Sequence, residues 1–121
     1  MSASSPAAPL RAVLVGSQNG AVLTGVASGA AHGPVDCSSY AYLTLYLAST
    51  AALTEGTVVL EERDQLQDTP GAIVTVTLAT PFASAGGTYA YHVTPSAFGY
   101  ISGKIGTTVV GGLVSAVLRA T

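Results

Sequence analysis

Hydrophobic and polar positions alternate along much of this chain with a period of two, the spacing of extended strands rather than helices. The stretch around which the chain reads as organised is Tyr40-Ala41-Tyr42-Leu43-Thr44-Leu45-Tyr46-Leu47. As a strand it places Tyr40, Tyr42, Thr44 and Tyr46 on one face and Ala41, Leu43, Leu45 and Leu47 on the other. Neither face carries a charge. A strand lying half in water has a polar side; here the second side is aromatic, so both faces are expected to meet protein. Tyrosine suits a core with a wet rim or a contact surface, because its ring buries a large apolar body while its hydroxyl needs a partner. The stretch is predicted to be the centre of a sandwich, the centre of an interface, or both, with Val35 as a candidate start.

The same reading runs along the rest of the chain. Residues 1–9 are small and polar, include Pro6 and Pro9, and predict an extended N-terminal arm with a reach of about 30 Å. Leu10 to Val15 is a first strand, Ser17-Gln18-Asn19-Gly20 a turn, and Ala21 to Val26 a second strand. Ser28 to Pro34, around His32, reads as a loop. Ser49 to Glu55 is a connection in which Ala51-Ala52-Leu53 could form a helical turn. Gly56 to Glu62 is a strand with Val58 and Leu60 on one side and Val59 and Glu61 on the other. Arg63 to Gly71 is the longest hydrophilic run and predicts an exposed loop. Ala72 to Ala79 sets Val74, Val76 and Leu78 against Ile73, Thr75 and Thr77. A loop follows to Gly87, with Pro81-Phe82 packing back on the core. Thr88 to Val93 sets Tyr89 and Tyr91 against Ala90 and His92, and Gly99 to Ile105 follows a turn at 95–98. Val109-Val110-Gly111-Gly112 leads into a last strand, Leu113 to Leu118. About eight strands, no convincing helix, and turns at this spacing predict an all-β, single-domain antiparallel β-sandwich over residues 10–121.

Charge changes the picture. Only ten of the 121 residues are charged, where an average soluble domain of this length carries roughly 30. Spread over the surface of a compact chain, about 6,000 Å², that is thin cover for a free monomer. The expectation is that other subunits cover much of the surface. A net charge of −2 and the lack of a basic cluster exclude nucleic-acid binding through phosphates and give no basic stripe for a membrane surface. Residues 12–35 lack charge but hold five glycines and Pro34, which excludes a spanning helix. The N-terminus has no basic start followed by an apolar block, so the chain is expected to be made in the cytoplasm. One cysteine, Cys37, permits no intrachain disulfide.

Candidate chemistry is sparse. His32 and Cys37 have no companions at metal-ligand spacing, so no metal site is expected. Asp36 precedes Cys37 directly and points to the opposite face of an extended chain, which leaves the thiol without a base. His92 reads as a hydrogen-bonded strand residue. Glu61 and Glu62 diverge across their strand while Asp64 and Asp68 sit in a loop, so no carboxylate pair faces one cleft and no calcium-loop pattern is present. Gly86-Gly87 and Gly111-Gly112 open no helix and cradle no phosphate. Lys104 and Arg119 suggest edge protection or a rim salt bridge; Arg11 follows the arm. No catalytic residue, cofactor site or enzyme activity is expected.

Residues 56–120 add a resemblance. Gly56-Thr-Val-Val-Leu-Glu-Glu, Ile73-Val-Thr-Val-Thr-Leu, Thr88-Tyr-Ala-Tyr-His-Val, Tyr100-Ile-Ser-Gly-Lys-Ile and Val110-Gly-Gly-Leu-Val-Ser-Ala-Val-Leu-Arg form a succession of strand and turn types. It resembles the capsid decoration (cement) and head-fibre proteins of tailed bacteriophages. The chain departs from that pattern in having no tryptophan between the acidic strand and the next. The resemblance implies a jelly-roll-like sandwich on the exterior of the virion, bound to the major capsid protein as a homo-oligomer, dimer or trimer. It also implies interface roles for the arm (Pro6, Pro9, Arg11) and for Tyr40, Tyr42, Tyr46, Tyr89, Tyr91 and Tyr100, since interface energy concentrates on aromatic residues. The sequence leaves open which of these tyrosines fill the core. The alternative is a receptor- or carbohydrate-binding sandwich of a fibre or tail.

Overall fold

A computed structural model describes residues 8–15, 23–24 and 31–121. Its strands are β1 (Leu10–Val15), β2 (Leu23–Thr24), β3 (Ala31–Asp36), β4 (Leu43–Ser49), β5 (Glu55–Arg63), β6 (Gly71–Thr77), β7 (Gly87–Val93), β8 (Tyr100–Val110) and β9 (Leu113–Ala120). They form two antiparallel sheets. The first, sheet A, has the order β1-β9-β4-β7, with β2 also pairing with β9; the second, sheet B, has the order β3-β8-β5-β6. The chain is an antiparallel β-sandwich, as its alternation predicts, with nine strands among the described residues where about eight are expected.

The core lies between the sheets and is built by the period of two. Along β4, Leu43, Leu45, Leu47 and Ser49 are buried while Thr44, Tyr46 and Ala48 are half-buried on the outer face. Leu118 of β9 lies beside them in sheet A, and Val58 and Leu60 of β5 with Ile101 and Ile105 of β8 meet them from sheet B, all without accessible surface. Leu78 and Phe82 close one end from the β6–β7 loop, so the Pro81-Phe82 segment does pack back. Burying a side chain of this size contributes about 1.5–3 kcal/mol, and the shared inner face is what holds the two layers together.

Four elements differ from expectation. The strand centred on residues 40–47 begins only at Leu43 and runs on to Ser49. Val35 belongs to β3 in the other sheet, and a turn at 38–39 carries the chain across; there Ser38 N–H donates to the Asp36 carboxylate at 2.9 Å. Ala41 and Tyr42 then donate to the Thr121 carbonyl instead of entering the ladder. Residues 31–34, expected in a loop, form the start of β3, because β3 is an edge strand and tolerates Pro34 while pairing with β8. Residues 51–53 form no helical turn: Leu53 N–H donates to the Phe82 carbonyl at 2.8 Å. β8 runs five residues further than expected, to Val110, and only Gly111-Gly112 turn the chain. The expected turn at 17–20, most of the expected strand 21–26 and most of the arm lie outside the described residues.

One long side of the sandwich is formed by β1 and β3, which pack against each other. The opposite side is formed by the edge strands β6 and β7.

Candidate interaction surfaces

Register defines the outer face of sheet A. Arg11 of β1 stands directly opposite Arg119 of β9, which stands opposite Thr44 of β4, which stands opposite His92 of β7. The next row in the same direction is Val13, Val117, Tyr46 and Ala90. Both arginines are exposed; Val13, Val117 and Tyr46 are half-buried. Thr44 Oγ1 and His92 Nδ1 lie 3.1 Å apart, the hydrogen bond expected of that histidine. Like charges placed directly across a strand pair repel. Arg119 lies on an interior strand, so edge protection, the reading its sequence suggests, does not apply to it.

The charges divide between the two layers. No strand of sheet A contains an aspartate or glutamate. All six acids lie on β3, on β5 or in the loop after β5, with Arg63 and Lys104 as the cations of that layer. Lys104 Nζ and Glu61 form a salt bridge at 3.3 Å on the outer face of sheet B. Arg11 and Arg119 therefore have no carboxylate in their own sheet.

Glu61 and Glu62 diverge as expected. Glu62 turns toward the open end of the sandwich, where one carboxylate oxygen accepts the Gly99 N–H at 2.9 Å. There, with Val74, Tyr91, Thr94 and Ser96, it lines a cleft of about 260 Å³ between the ends of β6 and β7. Asp68 accepts the Gln65 N–H at 3.0 Å within the exposed loop.

The tyrosines are dispersed. Tyr40 leaves the strand but packs against the core, and its hydroxyl donates to the Ala8 carbonyl at 2.7 Å, tying down the end of the arm. Tyr42 is 58% exposed on the loop before β4. Tyr46 stands on the outer face of sheet A. Tyr91 packs against the core from β7, while Tyr89, two residues earlier on the same face, is 39% exposed at the strand edge. Tyr100, half-buried, starts β8 beside Asp36 and Arg63. Pro9 is exposed; Pro6 lies outside the described residues.

Cys37 is fully buried. Burial, then the negative charges of Asp36 and Glu62, push its thiol up from 9.0 to about 11. The Asp36 carboxyl is held below its usual range by the hydrogen bonds from Ser38. A protonated, enclosed thiol is inert.

The pairing of Arg11 with Arg119 has no counterpart in the sequence, since the two are separated by nearly the whole chain. The only signal was an arginine at an outward-facing position of both terminal strands. No family model, no curated protein and no solved structure matches this chain.

Proposed function

We propose that this chain is a non-enzymatic structural protein of a tailed-phage virion, which binds as a homo-oligomer to the outer surface of the assembled capsid and reinforces it. The observation that carries the reading is the segregation of a very small number of charges. On 6340 Å² of accessible surface, sheet A carries two cations and no acid, while the remainder of the described chain carries six acids and two cations. A slab with one weakly cationic, otherwise uncharged face and one acidic face is suited to lying in one orientation on an acidic surface, because charge complementarity fixes orientation more than affinity. Val13, Val117 and Tyr46 on that face supply apolar contact beside the arginines.

The strand order supports the same reading. With β2 set aside, the eight remaining strands fall in the orders 1-8-3-6 and 2-7-4-5. We read this as a jelly roll, an arrangement used by capsid and lectin domains; as an argument about function it is analogy.

The test is co-sedimentation of the purified protein with capsids that lack it. Wild-type protein is expected in the pellet. Changing Arg11→Glu and Arg119→Glu together is expected to weaken attachment about tenfold or more while the domain stays folded. A folded double variant that pellets as wild type would remove sheet A from the contact, and a wild-type protein that stays in the supernatant would remove the reading altogether.

A carbohydrate-binding module is the second reading. It is favoured by the cleft holding Glu62, Tyr91, Thr94 and Ser96, since a carboxylate, hydroxyls and an aromatic ring suit a sugar. Saturable sugar binding that shifts the Tyr91 resonances, without capsid attachment, would reverse the order of the two.

A further inference from the structure

The two sides of the sandwich differ in how their edge strands are guarded. An exposed edge presents unpaired N–H and C=O groups to any passing strand, and proteins block it with charges, prolines and bulges. On one side these devices are all present. β1 carries Arg11, follows Pro9, and breaks register between Val13 and Val15. β3 contains Pro34, ends in Asp36, and breaks register between His32 and Val35.

On the other side they are largely missing. Neither β6 nor β7 contains a charge or a proline, and no charged residue occurs between Asp68 and Lys104. Of the two, β6 follows Pro70 and the acidic loop, and its register against β5 is broken between Leu60 and Glu61. β7 has no such interruption: it pairs with β4 through seven consecutive residues, Val93 to Gly87, without a shift. Four of its first residues, Gly87 to Ala90, are exposed, and no described strand lies on its free side.

We propose that the free edge of β7 pairs, antiparallel and across a two-fold axis, with β7 of a second copy of this chain. Strand composition argues for a second copy over a different partner. In a register centred on Ala90, Tyr89 stands opposite Tyr91 and Thr88 opposite His92, and each pair occurs twice. Cross-strand aromatic pairs stabilise a sheet, and the threonine–histidine pairing repeats the one already made between Thr44 and His92. No charge meets a like charge, which a two-fold interface requires of a patch that must complement itself. A partner strand bearing lysine or glutamate would find no counter-charge on β7. The result is one continuous sheet, β1-β9-β4-β7 running into its own reverse. This deepens the homo-oligomer part of the proposed function and rests on that part alone; it requires no capsid.

Sedimentation of the purified full chain tests it, with cross-linking as an independent measurement. Wild-type protein is expected to sediment at twice the chain mass. Ala90→Lys sets two ammonium groups opposite each other at the axis and is expected to weaken the dimer about fivefold or more, whereas Thr75→Lys on β6 leaves it unchanged. Ala90→Cys is expected to give a disulfide-linked dimer on mild oxidation, since directly opposed strand residues have the Cα spacing a disulfide needs; Arg11→Cys on the guarded edge is not. Buried Cys37 does not compete. A wild-type monomer overturns the inference. So does a dimer whose dissociation constant is unchanged by Ala90→Lys or is raised as much by Thr75→Lys, or a failure of Ala90→Cys to cross-link. A dimer that does not pellet with capsids upholds the edge pairing and removes only the capsid reading.

Discussion

Cys37 shows how position in the fold decides what a residue can do. In sequence it adjoins Asp36, whose negative charge opposes formation of the thiolate. Here the two side chains part across the strand end, one enclosed and one exposed. The folded thiol holds its proton to about 11 while the unfolded one loses it from 9.0. Between those values the unfolded chain binds fewer protons than the folded one. The contribution is therefore complete below pH 9.0 and declines as pH rises toward about 11. Denaturation midpoints followed upward from neutral pH should fall less steeply for Cys37→Ala than for wild type, the tyrosines being common to both. Equal slopes would mean the thiol is not enclosed. Gly56 is a second case. Its φ is 128°, and a Cβ there would come within 2.9 Å of Val109 Cα on the neighbouring strand. Backbone strain and close approach both require glycine at that position.

At the scale of elements, β4 gives the sharpest contrast between two faces of one strand. Leu45 has no accessible surface and touches the opposite sheet, so Leu45→Ala should cost about 2–5 kcal/mol in unfolding free energy. Thr44, one residue away, faces outward, and Thr44→Ala should cost only about 0.5–1.5 kcal/mol, the worth of its hydrogen bond to His92. Chemical denaturation of the two variants checks this; comparable losses would mean the strand is turned over. The alternation in residues 43–47 made this legible in advance. The start of β4 was not legible, because Tyr40-Ala41-Tyr42 continues the pattern and only the hydrogen bonds to Thr121 remove it from the ladder. β3 was missed for a related reason. Gly33 and Pro34 are loop residues by local preference, and β8 overrides that preference by supplying a partner. β8 continues past Ile105, the expected strand end, through Gly106, where a Cβ would come within 2.5 Å of Thr57 Oγ1 and 2.8 Å of a Val59 methyl.

The whole molecule is a thin slab whose layers differ in charge. Arg11 and Arg119 stand opposite each other in a sheet without acids, so one of them can be removed without loss of a folded-state ion pair. Arg11→Thr should leave the thermal unfolding midpoint unchanged or raised; the capsid attachment proposed above should weaken and become less dependent on salt. A lowered midpoint would show that the arginine pair has a structural role, and unchanged salt dependence would exclude it from the contact. The sides of the slab differ as well, one guarded and one open, and the edge pairing proposed for β7 follows from that asymmetry.

Composition and alternation, by themselves, determined that this chain is all-β, that Leu43, Leu45 and Leu47 share one inner face, and that its surface is poor in charge. They could do so because a strand's period is local and a residue's polarity needs no partner. The tertiary structure alone decided which strands are neighbours, that the two arginines meet, that the acids all fall in one layer, and which edges are left open. Those are relations between segments many residues apart, fixed by sheet pairing across the chain, and no local pattern encodes them.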